Sequence, residues 1–154
     1  MYIFDTDALG DIFRYGQQRR LGQRAAQEPH TSLFISVITV EEMLWGRAHA
    51  IKAVVKQSNQ DERVIGSIPE LCHDLEETFI RLQDYVVLPF DEAAANIYRS
   101  IPRATRQGKL NDCRIASVAL VHNFTVVTKN TRDFAPIREA CGVNYVDWSV
   151  APPE

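Results

Sequence analysis

Short runs of apolar and β-branched residues alternate along the chain with longer segments whose apolar residues recur at helical spacing. The short runs predict five strands, at residues 2–5, 33–38, 86–90, 124–128 and 143–146. The segments between them predict helices that begin near residues 6, 39, 69, 91 and 112. Because strands alternate with helices, we expect an α/β fold, a three-layer α/β/α sandwich around a mostly parallel sheet of about five strands.

Several of the helical segments also indicate how the helices pack and how exposed they are. The helices that begin at Thr39 and Pro69 are joined by a polar stretch, 58–63, and so predict an antiparallel hairpin. Residues 112–122 are apolar on nearly every side of the helix, which predicts that this helix is buried. The polar residues 17–28 predict a short exposed helix, and residues 130–139 predict a loop followed by a short helix.

The length and composition suit a soluble globular protein. A chain of 154 residues is the usual size of one domain, so we expect a single domain over residues 1–154. No apolar run approaches the roughly 20 residues that a membrane helix needs. The N-terminus has no basic start and no small-residue cleavage site, which argues against a signal peptide. The sequence therefore predicts a cytoplasmic protein with no membrane partner.

Cysteine and histidine are placed in ways that argue against a thiolate or imidazole metal site. The three cysteines, Cys72, Cys113 and Cys141, contain no C-x-x-C pair. The four histidines are scattered, and no two of them have the spacing of a helical ligand pair. We therefore expect the cysteines to be buried or partly buried thiols.

Four acidic residues are predicted to lie at one edge of the sheet. Asp5 ends the first strand, and Glu42 lies in the first turn of the helix after the second strand. Asp112 begins the buried helix, and Asp133 follows the fourth strand. An acid in the first turn of a helix also has an ordinary structural explanation, because it stabilises the helix dipole. Ligands bind outside the carboxyl ends of parallel strands, however, so four acids from four segments favour a common site there.

Carboxylates that cluster without histidine or cysteine suit a hard cation such as Mg²⁺ or Mn²⁺. Without a cation, carboxylates so close together would resist ionising together. A bound cation can orient a water molecule, lower its pKa and offset phosphate charge during an in-line displacement. The acidic pattern therefore predicts metal-dependent hydrolysis of a phosphodiester bond.

Four motifs resemble those of PIN-domain ribonucleases, and in particular the VapC-type toxins. The opening YIFDTD (2–7) is similar to the family's strand that ends in D-T-N or D-T-S, although Asp7 stands where Asn or Ser is commoner. The segment ISVITVEEM (35–43) is similar to I-S-x-I-T-x-x-E-L. NDCRIA (111–116) and VTKNTRDF (127–134) are similar to x-D-x-x-I-A and V-T-x-N-x-x-D-F, and the ending near Asp147 and Trp148 is similar as well. The motifs occur in the family's order and span nearly the whole chain.

The resemblance implies a Mg²⁺- or Mn²⁺-dependent endoribonuclease, the toxin of a toxin–antitoxin pair. It also implies a homodimer and a cognate antitoxin as partner. Thr128 and Asn130 would shape the loop that holds Asp133 and are candidates for contacting RNA, although Asn130 is equally explained as a turn residue. The acidic residues that the resemblance assigns to catalysis and metal binding are Asp5, Glu42, Asp112 and Asp133.

Two stretches of the chain are basic although the formal net charge is −3. Residues 14–24 contain four arginines and no acid, and residues 99–109 contain Arg99, Arg103, Arg106 and Lys109 and no acid. These stretches are either solvated surfaces or two basic walls beside the acidic centre of the dimer. In the second interpretation, Arg103 and Arg106 would bind RNA.

Two other functions remain open at this point. A D-T-D sequence after a strand also resembles haloacid-dehalogenase phosphatases, in which the first aspartate is a nucleophile. The downstream acidic pair of those enzymes is missing, and the chain is too short for their cap domain. A PIN-like scaffold that binds RNA or a protein without cleavage is the second alternative.

Glu42 also has a competing structural explanation. Thr39 and Glu42 have the spacing of a capping box, with Thr39 as N-cap and Glu42 as the third helical residue. Glu41 and Glu42 point about 100° apart on a helix, so only one of them should face the site. The family pattern selects Glu42.

Overall fold

Within residues 1–58 and 62–151, which the computed structural model describes, five parallel strands form one central sheet. The strands lie in the order β3-β2-β1-β4-β5, and β1 pairs in parallel with both β2 and β4. The strand order reverses at β1, so the segments that leave the carboxyl ends of β1, β2 and β4 meet at one edge. The strands are β1 (Tyr2–Phe4), β2 (Leu33–Ser36), β3 (Val86–Leu88), β4 (Thr125–Val127) and β5 (Tyr145–Val146).

Helices cover both faces of this sheet. Short 3-10 turns at Gly16–Gln18, His30–Ser32 and Glu62–Ser67 connect some of them. The α-helices of the described residues are α1 (Thr6–Tyr15), α2 (Arg20–Ala25), α3 (Val37–Ser58), α4 (Ile68–Leu82), α5 (Glu92–Ser100), α6 (Arg103–Arg106), α7 (Leu110–His122) and α8 (Thr131–Cys141). None of the helices within 1–58 and 62–151 is both long and apolar enough to cross a membrane.

The hydrophobic core has two parts, one on each face of the sheet. Successive residues of a strand point to opposite faces. Ile3 therefore packs into one cluster with buried residues of α5, α7 and α8, and Phe4 packs into the other with α1, α2 and α4. This arrangement confirms the predicted three-layer α/β/α sandwich.

Several local predictions are confirmed. Helices α3 and α4 pack against each other, as the predicted hairpin requires, although residues 59–61 of its connector lie outside the described residues. Helix α7 is buried from Ile115 to Ala119. The side chain of Asp91 caps α5 by accepting a hydrogen bond of 2.9 Å from the backbone N–H of Ala94.

Other local predictions were wrong. The segment 17–28 is not one exposed helix, because α2 places Leu21 and Ala25 in the core beside α1. Helix α8 runs for 11 residues and includes Pro136, so it is longer than the short helix expected there. Helix α6, a single turn of four residues, was not predicted from the sequence.

Candidate active site

Asp5 lies at the junction between the central strand and the first helix. The backbone N–H of Asp5 extends the sheet by bonding the carbonyl of Val127 at 3.0 Å. Its carboxylate oxygen Oδ1 accepts a hydrogen bond of 2.7 Å from the backbone N–H of Ala8 and so caps α1. Only 3% of the residue is exposed. The position is fixed both by the sheet and by the cap, which makes Asp5 the most rigidly held of the four acids.

Glu42 faces this edge of the sheet from α3. Its Oε2 accepts a hydrogen bond of 2.5 Å from the hydroxyl of Thr6, and its Oε1 accepts one of 2.7 Å from the side-chain amide of Asn111. Glu41 is exposed and pairs with Arg114 at 3.1 Å. The glutamate that the family pattern selected is therefore the one that points toward Asp5 and Asp112.

The capping box proposed for Thr39 and Glu42 was wrong. Helix α3 begins at Val37, three residues before the Val40 start that this box requires, and the hydroxyl of Ser36 accepts the N–H of Thr39 at 3.1 Å. Thr39 is fully buried, and its hydroxyl donates to the carbonyl of Phe4 at 3.2 Å. This bond ties α3 to the end of β1, next to Asp5. Glu42 therefore has no capping role that would explain it.

Asp112 and Asp133 complete the acidic edge. Asp112 lies in the first turn of α7, and Asp133 lies in the first turn of α8. The side-chain amide of Asn130 donates a hydrogen bond of 2.5 Å to Oδ2 of Asp133, and the ammonium of Lys109 lies 3.7 Å from Oδ1. Sequence reasoning thus placed all four acids at the edge where the structure has them.

The carboxylates are close enough to oppose one another's ionisation. Burial, followed by the negative charges of Asp133, Glu42 and Asp7, raises the pKa of Asp112 to about 6, although the charge of Lys109 opposes this rise. Burial also raises the pKa of Asp5 to about 7, although hydrogen bonds from Thr128 and Ala8 oppose this rise. The site therefore holds more negative charge than its own cations offset.

The four acids offer carboxylate oxygens, which are the type of ligand that Mg²⁺ and Mn²⁺ prefer. In the described residues, no three Asp, Glu, His or Cys side chains are arranged so that they could hold a metal ion together. Glu42 is turned toward Thr6 and Asn111, and Asp133 is turned toward Asn130. A hard cation would compete with these hydrogen bonds and would relieve the repulsion that raises the pKa of Asp112.

The three cysteines differ in exposure. Cys113 is buried and Cys141 is partly buried, as expected, but Cys72 is exposed on α4, which corrects the prediction for that residue. Burial raises the pKa of Cys113 to about 11, so its thiol stays protonated at neutral pH.

Sequence reasoning missed or misjudged several polar neighbours of the acids. Thr128 was a candidate for contacting RNA, but it is fully buried and so out of reach of an RNA chain. Its hydroxyl bonds Asp5 and accepts the backbone N–H of Asn130 at 2.9 Å, which makes it a residue that positions the site. Thr6 and Asn111 were not singled out. Their positions next to Asp5 and Asp112 in the motifs could have identified them as neighbours of the acidic site.

The basic stretches are only partly available to a ligand. Arg19 pairs with Asp11, Arg24 pairs with Glu28 at 2.5 Å, and Arg99 pairs with Glu92 at 2.5 Å. Arg103 is exposed, and with Arg106, Gln107, Gly108 and Leu110 it lines a cavity of about 430 Å³. Helix α6, which carries both arginines, packs against α8, the helix of Asp133.

Comparison with known proteins agrees with this geometry. Residues 2–140 match the family described as PIN domain. The chain belongs to the PIN-domain family. A curated relative, the VapC ribonuclease Y4jK of Sinorhizobium fredii, is 27% identical over 98% of this chain and 100% of its own length. The family resemblance stated from the motifs is thereby confirmed, and it decides against the phosphatase alternative.

Solved structures share the PIN fold over nearly the whole chain. VapBC-1 from nontypeable Haemophilus influenzae aligns with a TM-score of 0.68 and 19% identity, covering 97% of this chain and 98% of the other. A toxin–antitoxin complex from Klebsiella pneumoniae aligns with a TM-score of 0.62 and 23% identity, covering 96% and 98%. These likenesses establish the fold of the PIN domain, including its parallel sheet.

The raised pKa values of this PIN domain predict a pH dependence of its stability without metal. A carboxyl group whose folded pKa exceeds its unfolded value stabilises the protein fully below the unfolded pKa, and this stabilisation is lost as pH rises through the folded pKa. For Asp5 the window runs from about 4 to about 7. We expect Asp5→Asn to remove this dependence and to raise the Tm by several degrees at pH 8.

Thermal melts of both proteins in EDTA from pH 4 to pH 8 would measure this. Wild type and Asp5→Asn should have similar Tm values at pH 4 and should diverge as pH rises. Parallel curves would contradict the raised pKa of Asp5 in the folded protein.

Proposed function

We propose that this PIN domain is a metal-dependent endoribonuclease that hydrolyses RNA phosphodiester bonds with Mg²⁺ or Mn²⁺. One observation carries the proposal: Asp5, Glu42, Asp112 and Asp133 come from four different segments and meet at the carboxyl edge of the sheet, where burial and the charges of Asp133 and Glu42 raise the pKa of Asp112. The Sinorhizobium fredii relative is a VapC ribonuclease, which supports RNA as the substrate.

The residues of the site have distinct tasks in this proposal. Asp5 and Asp112 would hold the cation, with Glu42 and Asp133 completing its ligands. The bound cation supplies a water molecule of lowered pKa and offsets phosphate charge. Thr6 and Asn111 hold the carboxylate of Glu42 in place at the edge of the site. The buried hydroxyl of Thr128 holds Asp5 and the loop that follows β4.

A cleavage assay separates this proposal from a PIN-like scaffold that only binds RNA. A pool of single-stranded RNA of mixed sequence would be incubated with the protein in Mn²⁺, in Mg²⁺ and in EDTA. We expect cleavage with either metal and none in EDTA. A shift of RNA mobility without cleavage in any metal would favour the binding scaffold.

We further propose that the chain is the toxin of a toxin–antitoxin pair, a homodimer that a cognate antitoxin protein inhibits. The support is that solved structures with this fold include the toxin–antitoxin complex from Klebsiella pneumoniae. Expression in a bacterial host should arrest growth, and Asp112→Asn should not. Arrest that persists with Asp112→Asn would mean that the effect does not depend on this site.

Arg103 is predicted to contact the RNA backbone, because it is exposed on α6 beside the helix of Asp133. RNA affinity would be measured against salt concentration in the Asp112→Asn protein, which should not cleave. Arg103→Ala should weaken binding and reduce the slope of log K against log salt by about 0.7, one phosphate contact to a single strand. Adding Arg106→Ala should reduce it further.

Arg99→Ala is the matched control, because its guanidinium already pairs with Glu92 and bonds Asn96. The control should leave the slope unchanged. An equal slope for Arg103→Ala and wild type would mean that Arg103 is a solvated surface residue that does not contact RNA.

A further inference from the structure

Asp11 is a covered carboxylate outside the four predicted acids. It lies on α1, six residues after Asp5, and only 7% of the residue is exposed. Two cations cover it: the ammonium of Lys129 lies 2.7 Å from its Oδ1, and the guanidinium of Arg19 lies 3.0 Å from the same oxygen. Burial alone would raise the pKa of Asp11, but these two cations outweigh it and lower the pKa, so the group stays charged.

Lys129 is the middle residue of a loop whose neighbours both contact acids of the site. The preceding residue, Thr128, bonds the carboxylate of Asp5 through its hydroxyl. The following residue, Asn130, donates to Asp133 at 2.5 Å. The backbone N–H of Asn130 also bonds the Thr128 hydroxyl at 2.9 Å. The loop thus carries the contacts that set the distance between Asp5 and Asp133.

We infer that Asp11 is a positioning residue of the acidic centre. It holds Lys129 and thereby fixes the loop 128–130 against α1, the helix that Asp5 caps. The pair closes a ring that runs from Asp5 along α1 to Asp11, across to Lys129, and back through Thr128 to Asp5. The same loop carries Asn130, which orients Asp133.

This inference rests on the proposed function for its effect on metal binding, but not for its effect on the loop. Without Asp11, the loop would lose its tie to α1, and the bond from the Asn130 N–H to Thr128 would open more often. Asp133 would then be held less precisely relative to Asp5. Outer partners of metal ligands typically contribute about 10- to 100-fold to metal affinity by fixing such ligands in place.

The first test is local amide exchange in the metal-free protein. Asp11→Asn and Lys129→Met should speed exchange at the N–H of Asn130 while leaving the core strands protected. Arg19→Met is the matched control, because it removes the other cation on the same oxygen but does not touch the loop. Unchanged exchange at Asn130 in Asp11→Asn would overturn the inference, whatever the protein does with metal.

The second test is Mn²⁺ affinity, measured by calorimetry well below the Tm of every variant. Asp11→Asn and Lys129→Met should lower the affinity about 10- to 100-fold, and Arg19→Met and Lys129→Arg should not. The double variant Asp11→Asn/Lys129→Met removes both charges and controls for an unpaired charge. Its affinity should stay low, because the tie is still missing.

Each result decides a different point. Affinity restored in the double variant, or unchanged in Asp11→Asn, would overturn the positioning role. A wild-type protein that binds no Mn²⁺ would refute the proposed function, and the exchange at Asn130 would still decide whether Asp11 fixes the loop. Weaker RNA binding by Lys129→Met with wild-type Mn²⁺ affinity would overturn the inference and make Lys129 an RNA contact.

Discussion

Asp112→Asn should abolish RNA cleavage and leave a folded protein that is more stable than wild type in EDTA at pH 8. Asparagine removes a negative charge from a buried position where Asp133, Glu42 and Asp7 oppose that charge. It also removes a carboxylate that we propose as a metal ligand, so we expect cleavage to fall by more than about 100-fold, beyond the typical cost of losing an outer partner of a ligand. Asp5→Asn should act in the same way, since asparagine can still cap α1.

Cleavage rate and Tm, measured on the same preparations, would test this. Asp84→Asn is the charge-matched control, because Asp84 precedes β3 and so lies toward the opposite edge of the sheet. It should cleave RNA like wild type. Near wild-type cleavage by Asp112→Asn would remove Asp112 from the site, and a lower Tm in EDTA would contradict the repulsion argument.

Glu42→Gln should lose activity by more than about 100-fold, whereas the neighbouring Glu41→Gln should stay active. Glu42 accepts hydrogen bonds from Thr6 and Asn111 at the acidic edge, whereas Glu41 is exposed and pairs with Arg114. Glutamine keeps the shape of the side chain and can still accept one of the two bonds. The free energy of unfolding should therefore change by no more than about 1 kcal/mol.

The two variants control for each other, because they make the same chemical change at adjacent residues. Cleavage rates, Mn²⁺ affinity and chemical denaturation would be measured for both. An inactive Glu41→Gln beside an active Glu42→Gln would mean that the wrong face of α3 had been assigned to the site.

The parts of the fold that depend on local patterns could be predicted from the sequence. Alternation of strands and helices predicted the parallel sheet, and Asp91 before an apolar helical segment predicted the cap of α5. The acidic edge was predictable because the carboxyl ends of parallel strands meet, which needs only the strand positions.

Contacts between distant segments could not be predicted in this way. Asp11 and Lys129 are 118 positions apart, and nothing in either local sequence indicates the other. Thr39 has the local pattern of an N-cap, but the bond from its hydroxyl to Phe4 holds it inside the helix. Helix α6 has four residues, too few for a hydrophobic period to appear.

The basic stretches illustrate the same limit. A run of arginines without acids looks available to RNA, but Arg19 and Arg99 pair with Asp11 and Glu92, which lie outside their own runs. Arg103 is exposed, and its contact with RNA stays a prediction. Which cations are already paired depends on the fold, and only the structure separates them.

One titration tests the central claim most directly. Metal-free protein would receive increasing Mn²⁺ at pH 8, with bound Mn²⁺ measured by electron paramagnetic resonance and RNA cleavage measured on the same samples. We predict that cleavage is absent in EDTA, that it rises along the same curve as bound Mn²⁺, and that Asp112→Asn flattens both curves. Cleavage that persists in EDTA, or Mn²⁺ binding that Asp112→Asn leaves unchanged, would contradict a metal-dependent ribonuclease built on these carboxylates.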